Sequence, residues 1–175
     1  MRLDPIEEAR CHWIDTGGAA TALAMANVTT IIRVQQLLLA QISSVLRPYE
    51  LSHARLEVLM ALRSGPADGV SLGTLGKQLQ VYPGAVTSAV DRLESDGLVR
   101  RVAHPTDGRT TLAMITPAGS KLVVKAIADL NSKVLEPFEP SGATGLQLYG
   151  LLREVRVAAG DLEPSAISLD ASLTA

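Results

Sequence analysis

Apolar residues recur at steps of three and four from about Thr21 to Arg47, at Val28, Ile31, Ile32, Leu38, Leu39, Ile42 and Leu46. That spacing matches the 3.6-residue helical period and predicts one long helix, which Pro48 ends. A second helical pattern follows Ser52, a good N-cap, with Leu51 and Leu56 placed to staple the entry, and Gly65-Pro66 closes it. Ser71 caps a short third helix with Leu72, Leu75 and Leu79 on one face. In the next, Pro83 takes the first helical position, Val86, Val90 and Leu93 point inward, and Gly97 is the stop. Two short helices joined by a few residues, each with a single apolar face, form a helix-turn-helix.

The period then changes to that of strands. "LVRRV", the turn "HPTDGR" and "TTLAMI" read as a β-hairpin, and Thr116-Pro117 opens a helix that runs to about Leu135 before Pro137 and Pro140 interrupt it. A last helix begins near Ser141 with Leu148, Leu151, Leu152 and Val155 inward. At the other end, residues 5–14 read as a short helix ended by "DTGGAA". The fold class expected is mostly α: a winged helix-turn-helix with a two-stranded β-hairpin wing and a helical dimerisation region. Its divisions are an N-terminal extension (1–20), a long first helix (21–50), a lobe holding the helix-turn-helix and hairpin (51–116), C-terminal helices (117–162) and a flexible tail (163–175).

Composition agrees with packed helices: of 175 residues, 47% are hydrophobic and only 3% aromatic. Net charge is −2, but residues 53–125 hold nine Lys/Arg against six Asp/Glu, whereas 129–175 hold three against seven. Positive charge therefore gathers around the hairpin, where a polyanion would be met. Cys11 is the single cysteine, which excludes an internal disulfide framework and a Cys-rich zinc site and favours a reducing compartment. The N-terminus carries acids and lacks an apolar signal-peptide core, and Asn27, Arg33, Gln35 and Gln36 break the longest apolar run below membrane-spanning length. A cytoplasmic protein is expected. His12, His53 and His104 are scattered, and no HExxH, CxxC, GxSxG or phosphate-loop pattern occurs. No catalytic residue, metal site or cofactor is expected, and Asp91 with Glu94 reads as a solvated carboxylate face.

The helix over 83–95 has a different character. Its outward positions are Gly84, Ala85, Thr87, Ser88, Asp91 and Arg92, small and hydroxyl-rich. Such a face can approach base edges and phosphates in a major groove; an ordinary amphipathic helix with small surface residues would look the same. The hairpin adds Arg100 and Arg101 on its first strand, and Asp107 beside Arg109 at its turn. There the carboxylate can hold a guanidinium projected toward a minor groove, or the pair can simply close the turn. Tyr82, Pro83, Gly84, Thr87, Ser88, Arg92, Arg100, Arg101, Asp107 and Arg109 are the candidate DNA contacts.

The run "VTSAVDRLESDGLVRRVAHPTDGRTTLAMITPAG" closely resembles the multiple-antibiotic-resistance regulator (MarR) family of winged-helix transcription factors. The matching features are "DRLE..GLV.R", the "D.R" wing tip at Asp107 and Arg109, and "L..ITP.G", with the helix order fitting over about residues 21–160. The resemblance implies an obligate homodimer on a palindromic operator, with Thr87, Ser88 and Arg92 toward the major groove and Arg109 toward the minor groove. It also implies a small-molecule effector, commonly phenolic or anionic, in a crevice that here would include Arg33, His53 and Glu57. Regulators responding to urate share a tryptophan on an extra N-terminal helix, here Trp13, and an acid at the position of Glu57, but carry arginine where this chain has Ser88. Hydroperoxide sensors share one N-terminal cysteine, yet Cys11 lacks their surrounding motif. A ligand-responsive regulator, most simply a repressor, is therefore expected. The other reading is a winged-helix protein-interaction adaptor without DNA binding.

Overall fold

The computed structural model describes residues 4–107, 110–138 and 143–163, which fall into two units, Met1–Val134 and Leu135–Ala175. Asp4 caps α1 (Pro5–Trp13) by accepting the Ile6 N–H at 3.0 Å. A π-type turn at Ile14–Gly18, with Gly17 at φ 97°, and a 3₁₀ turn at Ala19–Thr21 then reverse the chain into α2 (Ala22–Leu46). The positive φ is one that glycine adopts without a Cβ clash. The reversal sets Asp4, Pro5 and Ile6 beside Thr29, Ile32 and Arg33. Trp13 fastens it, donating its indole N–H to Thr21 Oγ1 at 3.0 Å. A Cβ at Gly18 would lie 2.1 Å from the same ring.

The capping residues read from the sequence do what their chemistry allows. Ser52 Oγ accepts the Arg55 N–H at the start of α3 (His53–Ser64), and Ser71 Oγ accepts the Thr74 N–H at the start of α4 (Leu72–Leu79). Pro83 opens α5 (Pro83–Ser95), and Gly97, at φ 70°, follows it. One apolar core joins Leu56, Val58 and Leu59 of α3, Leu75 of α4 and Val86, Val90 and Leu93 of α5. Val123 and Ala126 of α6 (Pro117–Leu130) complete it. Each fully buried leucine or valine there contributes roughly 1.5–3 kcal/mol over an exposed one.

The sheet has three strands rather than the two expected from the hairpin pattern. β1 (Val70–Ser71), β2 (Val99–Ala103) and β3 (Thr111–Ile115) form an antiparallel sheet ordered β1-β3-β2. β1 pairs Val70 with Ala113 and Ser71 with Leu112, while β2 pairs Val99 with Ile115 through Ala103 with Thr111. Two residues are too few to show an alternating pattern. The turn onto β3 depends on Gly69, at φ 106°, where a Cβ would meet the Ala113 carbonyl at 2.9 Å.

One further expectation is corrected in α2. A segment within Pro5–Tyr49 is long and apolar enough to cross a membrane by length and composition alone, its window having mean hydropathy 1.3 and being 11% buried. The single charge of Arg33 and the neutral polarity of Asn27, Gln35 and Gln36 dilute the apolar run too little to lower it further. Within this unit α2 packs on α3 and α6. Val28, Ile31, Ile32 and Leu39 stay exposed, leaving an apolar face that one chain does not cover.

In the second unit, α7 (Glu136–Phe138) contains Pro137, which was expected to break a helix. α8 (Ala143–Ala158) follows. Leu151, Leu152 and Val155, expected inward, are 61%, 41% and 52% exposed. Pro140, Ser141 and the tail from residue 164 lie outside the described residues.

Candidate nucleic-acid interface

The face of α5 divides cleanly. Val86, Ala89, Val90 and Leu93 are buried, whereas Gly84, Thr87, Ser88, Asp91 and Arg92 are exposed. Tyr82 at the N-cap is the bulkiest exposed group, and a Cβ at Gly84 would lie 2.9 Å from its Cε2, so the ring would have to swing aside. Thr87 Oγ1 donates to the Pro83 carbonyl at 3.1 Å, so this side chain turns its methyl and its acceptor lone pair outward. Ser88 Oγ makes no hydrogen bond among the described residues. Ser88 and Arg92 line a 220 Å³ cleft with Ser52 and Arg55 at the N-terminal end of α3.

The cations around this face fall into two sets. Arg92 and Arg100 are exposed and have no ion-pair partner among the described residues. Arg55 is clamped between Asp96, at 3.0 Å, and the Glu50 carbonyl.

Arg101 is paired as well. Its Nη1 donates to Glu94 Oε2 at 2.5 Å and its Nη2 to Asp91 Oδ1 at 2.6 Å, while its backbone N–H donates to Glu94 Oε1 at 2.8 Å. Asp91 and Glu94, with side chains 58% and 39% exposed, thus share one guanidinium while staying open to solvent, and Arg101 turns toward α5. The alternation of β2 explains it, since Arg100 and Arg101 point to opposite sides of the strand. The Arg101 N–H, then its guanidinium, hold the Glu94 carboxyl below its ordinary pKa. Burial opposes the Arg101 charge, but its bonds to Glu94 and Asp91 outweigh that and move its pKa up.

The wing turn is organised by a residue with no motif to mark it. His104 Nδ1 accepts the backbone N–H groups of Thr106 and Asp107 at 3.3 and 3.2 Å, and the His104 N–H donates to the Thr110 carbonyl at 3.1 Å. Asp107 Oδ2 accepts the Thr110 hydroxyl at 2.6 Å. Arg109, and with it the expected Asp107–Arg109 pair, lies outside the described residues. At the wing base, Thr116 Oγ1 donates to the Gly97 carbonyl at 2.8 Å and accepts the Gly119 N–H at 3.0 Å, tying β3, the end of α5 and α6 together.

The four effector candidates are not gathered into one crevice within the chain. Trp13 holds the α1–α2 reversal, and Arg33 lines a 270 Å³ groove between those helices, its Nη1 donating to the side-chain Oε1 of Gln36 at 3.4 Å. Only His53 and Glu57 meet, with Nε2 and Oε1 3.6 Å apart. Glu57 borders a 310 Å³ cleft with Met60, Ala61, Ser64, Gln78 and Leu79. The Nδ1 of His53 is buried with no hydrogen-bond partner among the described residues. Arg55, Glu94 and His104 were missed as organising residues. Glu94 alone had a signal, its three-residue helical spacing from Asp91 ahead of an arginine-bearing strand.

Comparison with known proteins supplies the family. The MarR family model matches residues 51–111. Sco5413, a MarR family transcriptional regulator from Streptomyces coelicolor, is 36% identical, with 80% of this chain and 97% of that one covered and a TM-score of 0.70. YdgJ, an HTH-type transcriptional regulator of Bacillus subtilis (strain 168), is 37% identical over 73 residues, 42% of this chain and 43% of that protein's length. A point mutant of MarR from E. coli, solved with operator DNA, is 26% identical with a TM-score of 0.67 over 77% of this chain and 96% of that one. With the exposed hydroxyl face of α5 set beside a three-stranded wing, these likenesses establish that the chain belongs to the MarR family of DNA-binding transcription regulators, which are not enzymes.

Proposed function

We propose that this protein acts as a cytoplasmic homodimer on a palindromic operator, with α5 of each chain in the major groove and each wing in the flanking minor groove. A repressor released by a small-molecule effector is the form of regulation proposed. The observation that carries the reading is the α5 surface itself: a stripe of small residues with a Ser88 hydroxyl that makes no hydrogen bond among the described residues, bordered by Arg92 and Arg100, which have no ion-pair partner among them. Hydroxyls and guanidinium groups donate to phosphates and base edges, and small residues let the helix backbone come close to them. The structure of E. coli MarR with operator DNA supports the same reading.

The dimer is supported by the apolar residues that one chain leaves bare. Leu23, Val28 and Ile32 on α2 are 68%, 58% and 48% exposed. Tyr149, Leu151 and Val155 show the same on α8. A twofold axis relating two α5 helices implies half-sites about one helical turn apart, ~10 bp. An effector of modest size suits the cleft at Glu57, which at 310 Å³ falls within the range that small ligands occupy. The test is operator titration of Thr87→Ala and Ser88→Ala. Each is expected to fold normally and to lose about 1 kcal/mol of affinity, the worth of one hydrogen bond. Unchanged affinity in both would move the reading surface off α5.

A further inference from the structure

Arg101 was expected among the DNA contacts, and its surroundings argue otherwise. Both of its terminal nitrogens are occupied by carboxylates at 2.5 and 2.6 Å. One guanidinium faces two carboxylates, so the cluster presents net negative charge and offers a phosphate no surplus cation. Glu94 grips twice, taking the backbone N–H of Arg101 with one oxygen and the guanidinium with the other. The side chain of Arg101 is only 25% exposed.

The location gives the cluster a task. Asp91 lies one helical turn beyond Ser88 and next to Arg92, on the exposed side of α5, and Glu94 lies in its last turn. Arg101 sits on β2, in register with Ala113 of β3. The contact therefore spans from the helix that carries the reading face to the strand that carries the wing. The covalent link between them, Asp96–Gly97–Leu98, is held at the helix end by the Gly97 and Leu98 N–H groups, which donate to the Glu94 and Leu93 carbonyls at 2.9 and 2.8 Å, and the Arg101 contact adds a second tie farther along β2. Two-pronged guanidinium–carboxylate contacts do impose direction.

We propose that Arg101, held by Asp91 and Glu94, is a positioning residue that locks the wing to the recognition helix at the angle needed to engage two grooves at once. This rests on the DNA-reading role proposed above for α5 and assigns the specificity of that site partly to a clamp that does not touch DNA. A strained or loosened clamp leaves either groove contact available singly and removes their simultaneous engagement.

The sign of the carboxylate effects tests this. Neutralising an acid beside a polyanion ordinarily strengthens binding, because a repulsion is removed. The clamp requires the reverse. A fluorescein-labelled palindrome from the protein's own promoter is titrated with the full chain as wild type, Asp91→Asn, Glu94→Gln, Arg101→Met, Arg101→Lys and the Glu94→Gln/Arg101→Met double variant, at several salt concentrations, with each protein melted alongside. Asp91→Asn and Glu94→Gln are expected to weaken operator binding several-fold, and Arg101→Met by about tenfold, the scale of a lost charge-assisted pair. The double variant should bind no worse than Arg101→Met, and the salt slope should stay that of wild type. Arg101→Lys keeps the charge without the fork and should resemble Arg101→Met, which guards against mere unfolding of the methionine variant. Carboxylate variants that bind as tightly as wild type or tighter, full rescue by lysine, or a salt slope reduced by about one contact in Arg101→Met would each overturn the clamp. A wild type that does not prefer its operator over a scrambled duplex would overturn the reading role of α5 itself, and the clamp with it.

Discussion

Replacing Gly119 by alanine isolates the joint on which the wing stands. Gly119 lies in the first turn of α6, its backbone against the carbonyl of Leu98, where the chain leaves α5 for β2. An added Cβ would lie 2.2 Å from the Leu98 oxygen and 3.0 Å from both its carbonyl carbon and Ile115 Cγ1. The obstacle is backbone rather than a side-chain end that could swing away, and Thr116 ties the same carbonyls of Gly97 and Leu98 to α6. Relief requires α6 to move off the wing base, which loosens the Thr116 bonds and the packing of Val123 and Ala126. Overpacking of this kind costs about 1–3 kcal/mol, and a loosened hydrogen bond adds about 1. Gly119→Ala should therefore destabilise by ~2–4 kcal/mol in urea unfolding followed by circular dichroism. Gly73→Ala is the control: in α4, its Cβ would meet only Ser71 Oγ at 3.9 Å. There the smaller entropy of the unfolded chain should leave stability unchanged or raised by up to about 1 kcal/mol. A Gly119→Ala protein within about 0.5 kcal/mol of wild type would refute the close approach.

Two other substitutions probe the assembly and the wing. Glu at both Leu151 and Leu152 puts charge on a face that is 61% and 41% exposed in one chain, and should convert the dimer to monomer or unfolded chain in light scattering; a stable, folded dimer would place the interface elsewhere. Arg109→Ala should weaken operator binding by ~1–3 kcal/mol and lower its salt slope by about one, with Asp107→Ala weaker in effect. Wild-type affinity and slope in Arg109→Ala would take the wing tip out of recognition.

The features legible in the sequence were those governed by local chemistry. Ser52, Ser71 and Thr116 as caps, Pro83 and Pro117 at first turns, Gly97 as a stop and the Val86–Val90–Leu93 face all depend on residues within one or two helical turns of each other. The features that escaped depend on contacts between separate elements. β1 exists because Gly69 delivers two residues to the free edge of β3. The glycine of "ITP.G" was recognisable as a family motif, but its reason, the Leu98 carbonyl, lies 21 residues earlier in the chain. Arg101 looked like its neighbour Arg100, and only the pleat and the position of α5 separate a clamped arginine from a free one. Within one chain the effector candidates are likewise set by contacts between elements: Trp13, Arg33 and Glu57 are placed by three different packings, and Trp13 is occupied with closing its own turn.

Fluorescence anisotropy with a labelled promoter palindrome and a scrambled duplex of equal composition, repeated over a range of salt and read with light scattering of the complex, tests the central claim most directly. Two chains per duplex are predicted, with the palindrome preferred by at least about a thousandfold in affinity at moderate salt and both affinities falling as salt rises. Equal, weak affinity for the two duplexes, or saturation by a single chain, would contradict a dimer that reads a palindrome through α5.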